Sequence, residues 1–244
     1  MSKILIIIPA RLASTRLPNK PLADILGESM IARVWKQAKK SNLGEIIVAC
    51  DCQEIVDEIE KIGGKAVITD PTLPSGTDRI FAALKSLNNY QDFEIIVNLQ
   101  GDLPIIDPKI IQKAADAALN SDADIATVAS SIKDLEEISN PNVVKIAISA
   151  LNEEGLGNAL YFSRAPIPHG EGEYFHHIGI YAYKREALEK FVSMNPSNLE
   201  KRESLEQLRA LENGMKIAVQ IVDSHPISVD TIEDLQKVRN MITQ

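Results

Sequence analysis

The sequence predicts an α/β fold, a three-layer arrangement around a mostly parallel mixed sheet with a small antiparallel extension. Three observations carry this. Short apolar runs rich in β-branched residues alternate with helical patterns through the first half of the chain, the order that right-handed βαβ crossovers produce. The first such run, residues 4–8, is wholly apolar, as a strand buried on both faces of a parallel sheet is. After about Asn140, strand-like runs follow one another across loops, which reads as antiparallel pairing.

Taken in order, strands are expected over residues 4–8, 46–49, 66–68, 95–98 and 125–129, with helices over 30–40, 54–62, 78–87 and 108–119. The last helix opens with Asp107 as N-cap and Pro108 at the first helical position, a standard start signal. Strands over 143–148, 159–162 and 178–183 come next, interrupted by a turn at 165–170 that holds Pro166 and Pro168. This stretch reads as an extension or dimerisation flap, not a separate domain. The α/β pattern then resumes with a helix over 200–213, a strand over 217–222 and a closing helix over 232–241. A chain of 244 residues is long enough to bury a sizeable core as one domain.

Composition excludes several classes of function. The net charge of -8 argues against a general nucleic-acid binder, which shows a basic excess. No apolar run reaches the roughly 18 residues of a membrane span. Cys50 and Cys52, the two cysteines, are too close in sequence to bridge well, and no secretory signal precedes them, so a reduced cytoplasmic setting is expected.

Loops that follow strands in open α/β sheets are where ligands bind. The loop after the first strand places Arg11, Arg16 and Lys20 within ten residues, either as a solvated basic turn or as a site for a concentrated anion such as a triphosphate. After the third strand, Ser75-Gly76-Thr77-Asp78-Arg79 leads into a helix. Gly76 permits close backbone approach, and the hydroxyls and Arg79 suit a nucleobase edge; the plain alternative is Thr77 or Asp78 as a helix N-cap. After the fourth strand, Gly101-Asp102 is either a turn or half of a Mg²⁺ site, since Mg²⁺ takes one or two carboxylates with substrate phosphates. Asp230 is the second candidate carboxylate, and equally a helix N-cap. His176 and His177 point to opposite faces of one strand, which speaks against zinc and for one of them bonding a polar substrate. Glu206 and Arg209 read locally as a solvated i,i+3 pair on a helix.

Together these segments form a recognisable set. The opening I-P-A-R-L-A-S-T-R-L-P-N-K-P-L, then S-G-T-D-R, V-N-L-Q-G-D, N-P-N-V-V-K, A-L-Y-F-S-R-A, H-I-G-I-Y-A-Y, L-E-Q-L-R-A-L and V-D-T-I-E-D-L resemble the 3-deoxy-manno-octulosonate cytidylyltransferases of the nucleotidyltransferase superfamily. The segments appear in the family's order along nearly the whole chain. The opening alone fits many sugar nucleotidyltransferases; H-I-G-I-Y with L-E-Q-L-R is far more specific.

The resemblance implies a Rossmann-like nucleotidyltransferase fold over 1–244, with 155–190 as a sugar-binding and dimerisation extension. It implies transfer of CMP from CTP to 3-deoxy-manno-octulosonate (Kdo), releasing pyrophosphate, with Mg²⁺ as cofactor and a homodimer as the assembly. The product would serve lipopolysaccharide synthesis. Arg11, Ser14, Arg16 and Lys20 correspond to the triphosphate loop, and Ser75 and Arg79 to the cytidine site. Gln100 lies near nucleotide and sugar acid, and Asp102 and Asp230 are the metal carboxylates. Arg164, His177, Tyr181, Glu206 and Gln207 correspond to the Kdo pocket. Three features depart from the pattern: Leu103 replaces the usual Glu after Asp102, Leu73 stands where His is common, and the 164–177 stretch is short. A related acidic sugar, 8-amino-Kdo or a sialic acid, and a non-catalytic nucleotide-binding homologue are the alternatives.

Overall fold

Strand β1 (Ile4–Pro9) is buried almost throughout, as its unbroken apolar run requires. In the computed structural model, which describes residues 3–14, 16–223 and 226–243, the chain forms two compact units, Met1–Ile111 with Pro226–Gln244, and Gln112–His225. Thr15 of the opening loop lies outside the described residues.

In the first unit a small hairpin, β2 (Asp24–Ile25) and β3 (Glu28–Ser29), follows the opening loop. Its turn, Leu26-Gly27, has both residues at positive φ, the primed geometry that suits tight hairpins. Helix α1 (Met30–Lys40) starts where Ser29 accepts the Ala32 N–H, and it buries Met30, Ile31, Val34, Trp35 and Ala38 on one face. Strand β4 (Glu45–Cys50), helix α2 (Gln53–Lys61), strand β5 (Lys65–Ile68), helix α3 (Gly76–Lys85) and strand β6 (Ile95–Asn98) complete the alternation. The four long strands are parallel, in the order β5-β4-β1-β6. From β1 the chain steps outward through α1 and α2, then α3 carries it back past β1 to β6. With right-handed crossovers this reversal puts α3 on the face opposite α1 and α2. It also makes the carboxyl ends of β1 and β6 the switch point, where such sheets bind ligands.

The chain enters the second unit through α4 (Pro108–Leu119). Strand β7 (Ile125–Ser131), a short helix α5 (Leu135–Ser139), β8 (Lys145–Ile148), β9 (Leu156–Ser163) and β10 (Phe175–Lys184) follow. Next come α6 (Arg185–Ser193), α7 (Asn198–Glu203), α8 (Leu208–Glu212) and β11 (Ile217–Ile221). Here the sheet is mixed: β11 runs parallel to β7, while β10 pairs with β7, and β9 with both β11 and β8, in antiparallel fashion. Strand β8 also pairs with the start of β10, so the strands of this unit curl back on themselves. The expected antiparallel segment is therefore present, longer at both β9 and β10 than the apolar cores suggest.

The expected helix over 200–213 is two helices. Helix α7 ends at Ser204, which turns left-handed at φ 54, and the Leu205 N–H closes back on the Glu200 carbonyl at 3.1 Å. Leu205, Leu208 and Ala210 are all buried, so the apolar spacing reads as continuous across the break. Helix α6, with Ala187, Leu188 and Phe191 buried, was not expected from the sequence.

The chain returns to the first unit and ends in α9 (Ile232–Thr243). Leu235 and Val238 of this helix pack with Leu17, Ile25, Met30 and Val229 in one buried cluster. That cluster fixes residue 230 beside the opening loop.

Candidate functional site

The site of the first unit is built at the β1/β6 switch point. A cavity of about 740 Å³ is lined there by the opening loop, the start of α3, the loop after β6, and Asp230; small-molecule pockets span roughly 300–1,000 Å³. Three contacts hold its walls. The Leu12 N–H donates to Asp51 Oδ1 at 3.1 Å, tying the opening loop to the end of β4. Gly101 passes so close to β1 that a Cβ would lie 2.8 Å from the Pro9 carbonyl oxygen. The Val229 N–H donates to the Asp102 carbonyl at 2.9 Å, and this bond brings two carboxylates distant in sequence into one place.

Lys20 stands between them. Its Nζ donates to Asp102 Oδ2 at 2.7 Å and to Asp230 Oδ1 at 2.8 Å, and Arg16 Nη2 lies 3.1 Å from the same Asp230 oxygen. Burial works against the Lys20 charge, but Asp102, and then Asp230, outweigh it and leave the ammonium above its usual pKa. Asp230 is not the helix cap. Thr231 Oγ1 accepts the Asp234 N–H, and Asp234 Oδ2 accepts the N–H groups of Asp230 and Thr231. This reciprocal cap leaves the Asp230 carboxylate to face the cations.

Arg11, Ser14 and Gln100 line the same cavity. Ser14 Oγ accepts the Leu17 N–H at 3.4 Å, and Gln100 Nε2 donates to Asn98 Oδ1 at 3.2 Å. Ser75, not Thr77 or Asp78, caps α3: its Oγ accepts the Asp78 N–H and donates to Asp78 Oδ2. Arg79 reaches the cavity wall with its guanidinium buried, donating to Thr69 Oγ1 at 2.5 Å. Leu73 lines the cavity, whereas Leu103 is buried, so the residue replacing the usual Glu adds a core contact beside Asp102. Among the described residues no three His, Cys, Asp or Glu side chains group as a metal site; the carboxylates available are this pair.

The second unit holds the residues expected for the sugar. His177 is buried on β10, between the rings of Phe162 and Tyr181 at centroid distances of 4.9 and 5.4 Å. Thr127 Oγ1 lies 2.7 Å from the Ile180 carbonyl and 3.0 Å from His177 Nε2. A hydroxyl has one proton to give, so donation to the carbonyl assigns Nε2–H as the donor to Thr127. Burial drives the His177 pKa down to about 3, with His176 adding to the effect, and the ring stays neutral. Burial also raises the Tyr181 phenol, helped by Tyr183 and Glu206. The Arg164 guanidinium donates to the carbonyls of Glu203 and Pro141 at 2.9 and 3.0 Å and more weakly to that of Ser204. Gln207 is buried and Glu206 half-buried, both in the turn between α7 and α8. Arg209 is not a solvated partner of Glu206: it is buried, over the Phe191 ring, and its near partner is Glu200 at 2.5 Å, with Glu206 at 3.8 Å.

Sequence reasoning missed Asp51, Thr231 with Asp234, Thr127, Lys145 and Glu203. The Thr231-x-x-Asp234 spacing is a capping-box pattern that signals its own role. The others act through backbone contacts between distant segments and leave no local pattern.

A cytidylyltransferase family model matches residues 5–217. The chain is 52% identical over 235 residues to the 3-deoxy-manno-octulosonate cytidylyltransferase of Parvibaculum lavamentivorans, covering 96% of this chain and 91% of that protein. It is 48% identical to the protein of the same name in Paramagnetospirillum magneticum, covering 98% and 97%. It superposes on a solved CMP:2-keto-3-deoxy-manno-octonic acid synthetase complexed with CTP at a TM-score of 0.91 and 36% identity, over 100% of this chain and 99% of that one. The 4-diphosphocytidyl-2C-methyl-D-erythritol synthase of Anaerococcus prevotii, 17% identical at a TM-score of 0.64 and covering 100% and 99% of the two chains, shares the fold.

Proposed function

The chain belongs to the cytidylyltransferase family, and on that premise we propose that it transfers CMP from CTP to Kdo, giving CMP-Kdo and pyrophosphate. The observation that carries the reading is the convergence of Lys20, Asp102 and Asp230 in the switch-point cavity, with Arg11 and Arg16 on the same wall.

Arg11, Arg16 and Lys20 bind the triphosphate, with Ser14 beside them. Ser75 and Arg79 lie along the cytidine, and Gln100 reads nucleotide and sugar acid. Arg164, His177, Tyr181, Glu206 and Gln207 receive the sugar acid. The anomeric hydroxyl oxygen attacks the α-phosphorus and gives up its proton to water, the bond to the bridging oxygen breaks, and pyrophosphate leaves in line. Positioning and charge neutralisation carry this chemistry: the three cations offset the charge that builds on pyrophosphate. A neutral His177 suits hydrogen bonding to sugar hydroxyls.

Asp102 and Asp230 would hold Mg²⁺. They fit it because both carboxylates already converge on one cation, the Lys20 ammonium, and two carboxylates with substrate phosphates form the oxygen set that Mg²⁺ takes. When bound, Mg²⁺ neutralises phosphate charge and lowers the pKa of the attacking hydroxyl.

The same reading makes 1–244 one nucleotidyltransferase domain that works as a homodimer in the cytoplasm, serving lipopolysaccharide synthesis, with 155–190 as its sugar-binding and dimerisation extension. Leu160, 62% exposed on β9, supports an apolar contact there. The thiols of Cys50 and Cys52 are free, and no helix among the described residues is long and apolar enough to cross a membrane. Pyrophosphate release over a panel of nucleotides and acidic sugars tests the substrates. CTP with Kdo should be the fastest pair; faster turnover with 8-amino-Kdo or a sialic acid would reassign the sugar.

A further inference from the structure

Lys145 opens β8 and is fully buried, yet its hydrogen bonds go to neutral groups. Nζ donates to the carbonyls of Asn140 at 2.8 Å, Val143 at 2.6 Å and Arg164 at 2.6 Å, which uses all three ammonium hydrogens. Burying a charge is costly unless it is paired and bonded, and an apolar side chain would fill the start of a strand more cheaply. What the ammonium does, and an apolar residue cannot, is gather carbonyls from two separate segments.

Those segments carry or touch the residues read above as the sugar-acid pocket. Lys145 is in register with Ser163 on β9 and with His176 on β10, the neighbours of Arg164 and His177. The His177 N–H donates to the Val144 carbonyl at 2.8 Å. The Arg164 N–H and Ser163 Oγ both donate to the Glu203 carboxylate, at 3.0 and 2.9 Å, and the Arg164 guanidinium reaches the Glu203 and Ser204 carbonyls. Glu206 and Gln207 follow that turn directly.

We propose that Lys145 is a positioning residue for the sugar acid: by holding the Arg164 carbonyl against the 140–144 segment, it fixes Arg164, His177 and the turn before Gln207 in one arrangement. The proposal rests on the reading of those residues as the sugar-acid pocket. Glu203 is the second brace of the same network.

The test is steady-state kinetics of the full chain, with KM measured separately for Kdo and CTP. Lys145→Met should raise the KM for Kdo tenfold or more while the KM for CTP stays within twofold. Lys145→Gln, which keeps donors suited to neutral carbonyls, should recover part of the loss. An unchanged KM for Kdo, or both KM values rising together as a general loosening would cause, overturns the proposal. If Lys145→Met does not fold, Glu203→Ala decides: a threefold or larger rise in the Kdo value alone supports the network, and no change overturns it. Gln207→Ala separates the two layers. A rise there without one in Lys145→Met removes the positioning role alone, and no change in either removes the pocket reading with it.

Discussion

At the scale of single residues, Lys20 sets the character of the switch-point cavity. Its ammonium lets Asp102 and Asp230 sit within one hydrogen bond of a common point, where two carboxylates otherwise repel. His177 is the opposite case, a titratable group kept neutral. Its folded pKa of about 3 lies below the ordinary 6.5, so the unfolded chain binds the proton that the folded one refuses. The associated stability is complete above pH 6.5 and falls between 6.5 and about 3, with a slope of about 1.4 kcal/mol per pH unit. Urea unfolding should therefore show a stability difference between the wild type and His177→Gln that changes over this window and is constant above it. A pH-independent difference would mean that the imidazole is not held neutral.

At the scale of elements, α9 places a catalytic candidate through its own start signal. Thr231 and Asp234 satisfy the first N–H groups of the helix, and losing such a cap costs about 1 kcal/mol. Thr231→Ala should lose that much in urea unfolding and also need more Mg²⁺ for half-maximal turnover, because Asp230 shares the turn. Unaltered metal dependence would separate the cap from the site. This element also shows what was legible in the sequence. The four long strands of the first unit and its helices were readable because β-branched runs and caps are local signals, and α1 and α4 match their expected bounds; the short β2-β3 hairpin was not. The meeting of Asp102 with Asp230 was not, since it depends on the Val229 bond and on Leu235 and Val238 packing against Leu17 and Met30. Likewise the break at Ser204 hides under apolar spacing that suits one long helix. The segment resemblance supplied expected roles for Arg164 and Gln207 that their local sequence could not.

At the scale of the whole molecule, the chain carries a net charge of -8 but gathers Arg11, Arg16 and Lys20 around one cavity. On the proposed reading those cations act on a triphosphate in a background that otherwise repels it. Salt screens such interactions, with a Debye length that falls from about 10 Å at 0.1 M to about 3 Å at 1 M. The KM for CTP should rise several-fold between low and high NaCl, and more steeply than the KM for Kdo, which carries a single carboxylate. Equal salt dependence of the two would argue against the opening loop as the triphosphate site.

Asp102 and Asp230, the proposed carboxylate pair through which CTP and Kdo are converted, can be addressed directly by one assay. Pyrophosphate release from CTP and Kdo is followed in Asp102→Asn across a Mg²⁺ titration, with CTP binding measured in parallel as the check that the first unit is folded. The expected result is CTP binding with turnover reduced at least a hundredfold at every Mg²⁺ concentration. Turnover equal to the wild type, with the same Mg²⁺ dependence, would contradict it.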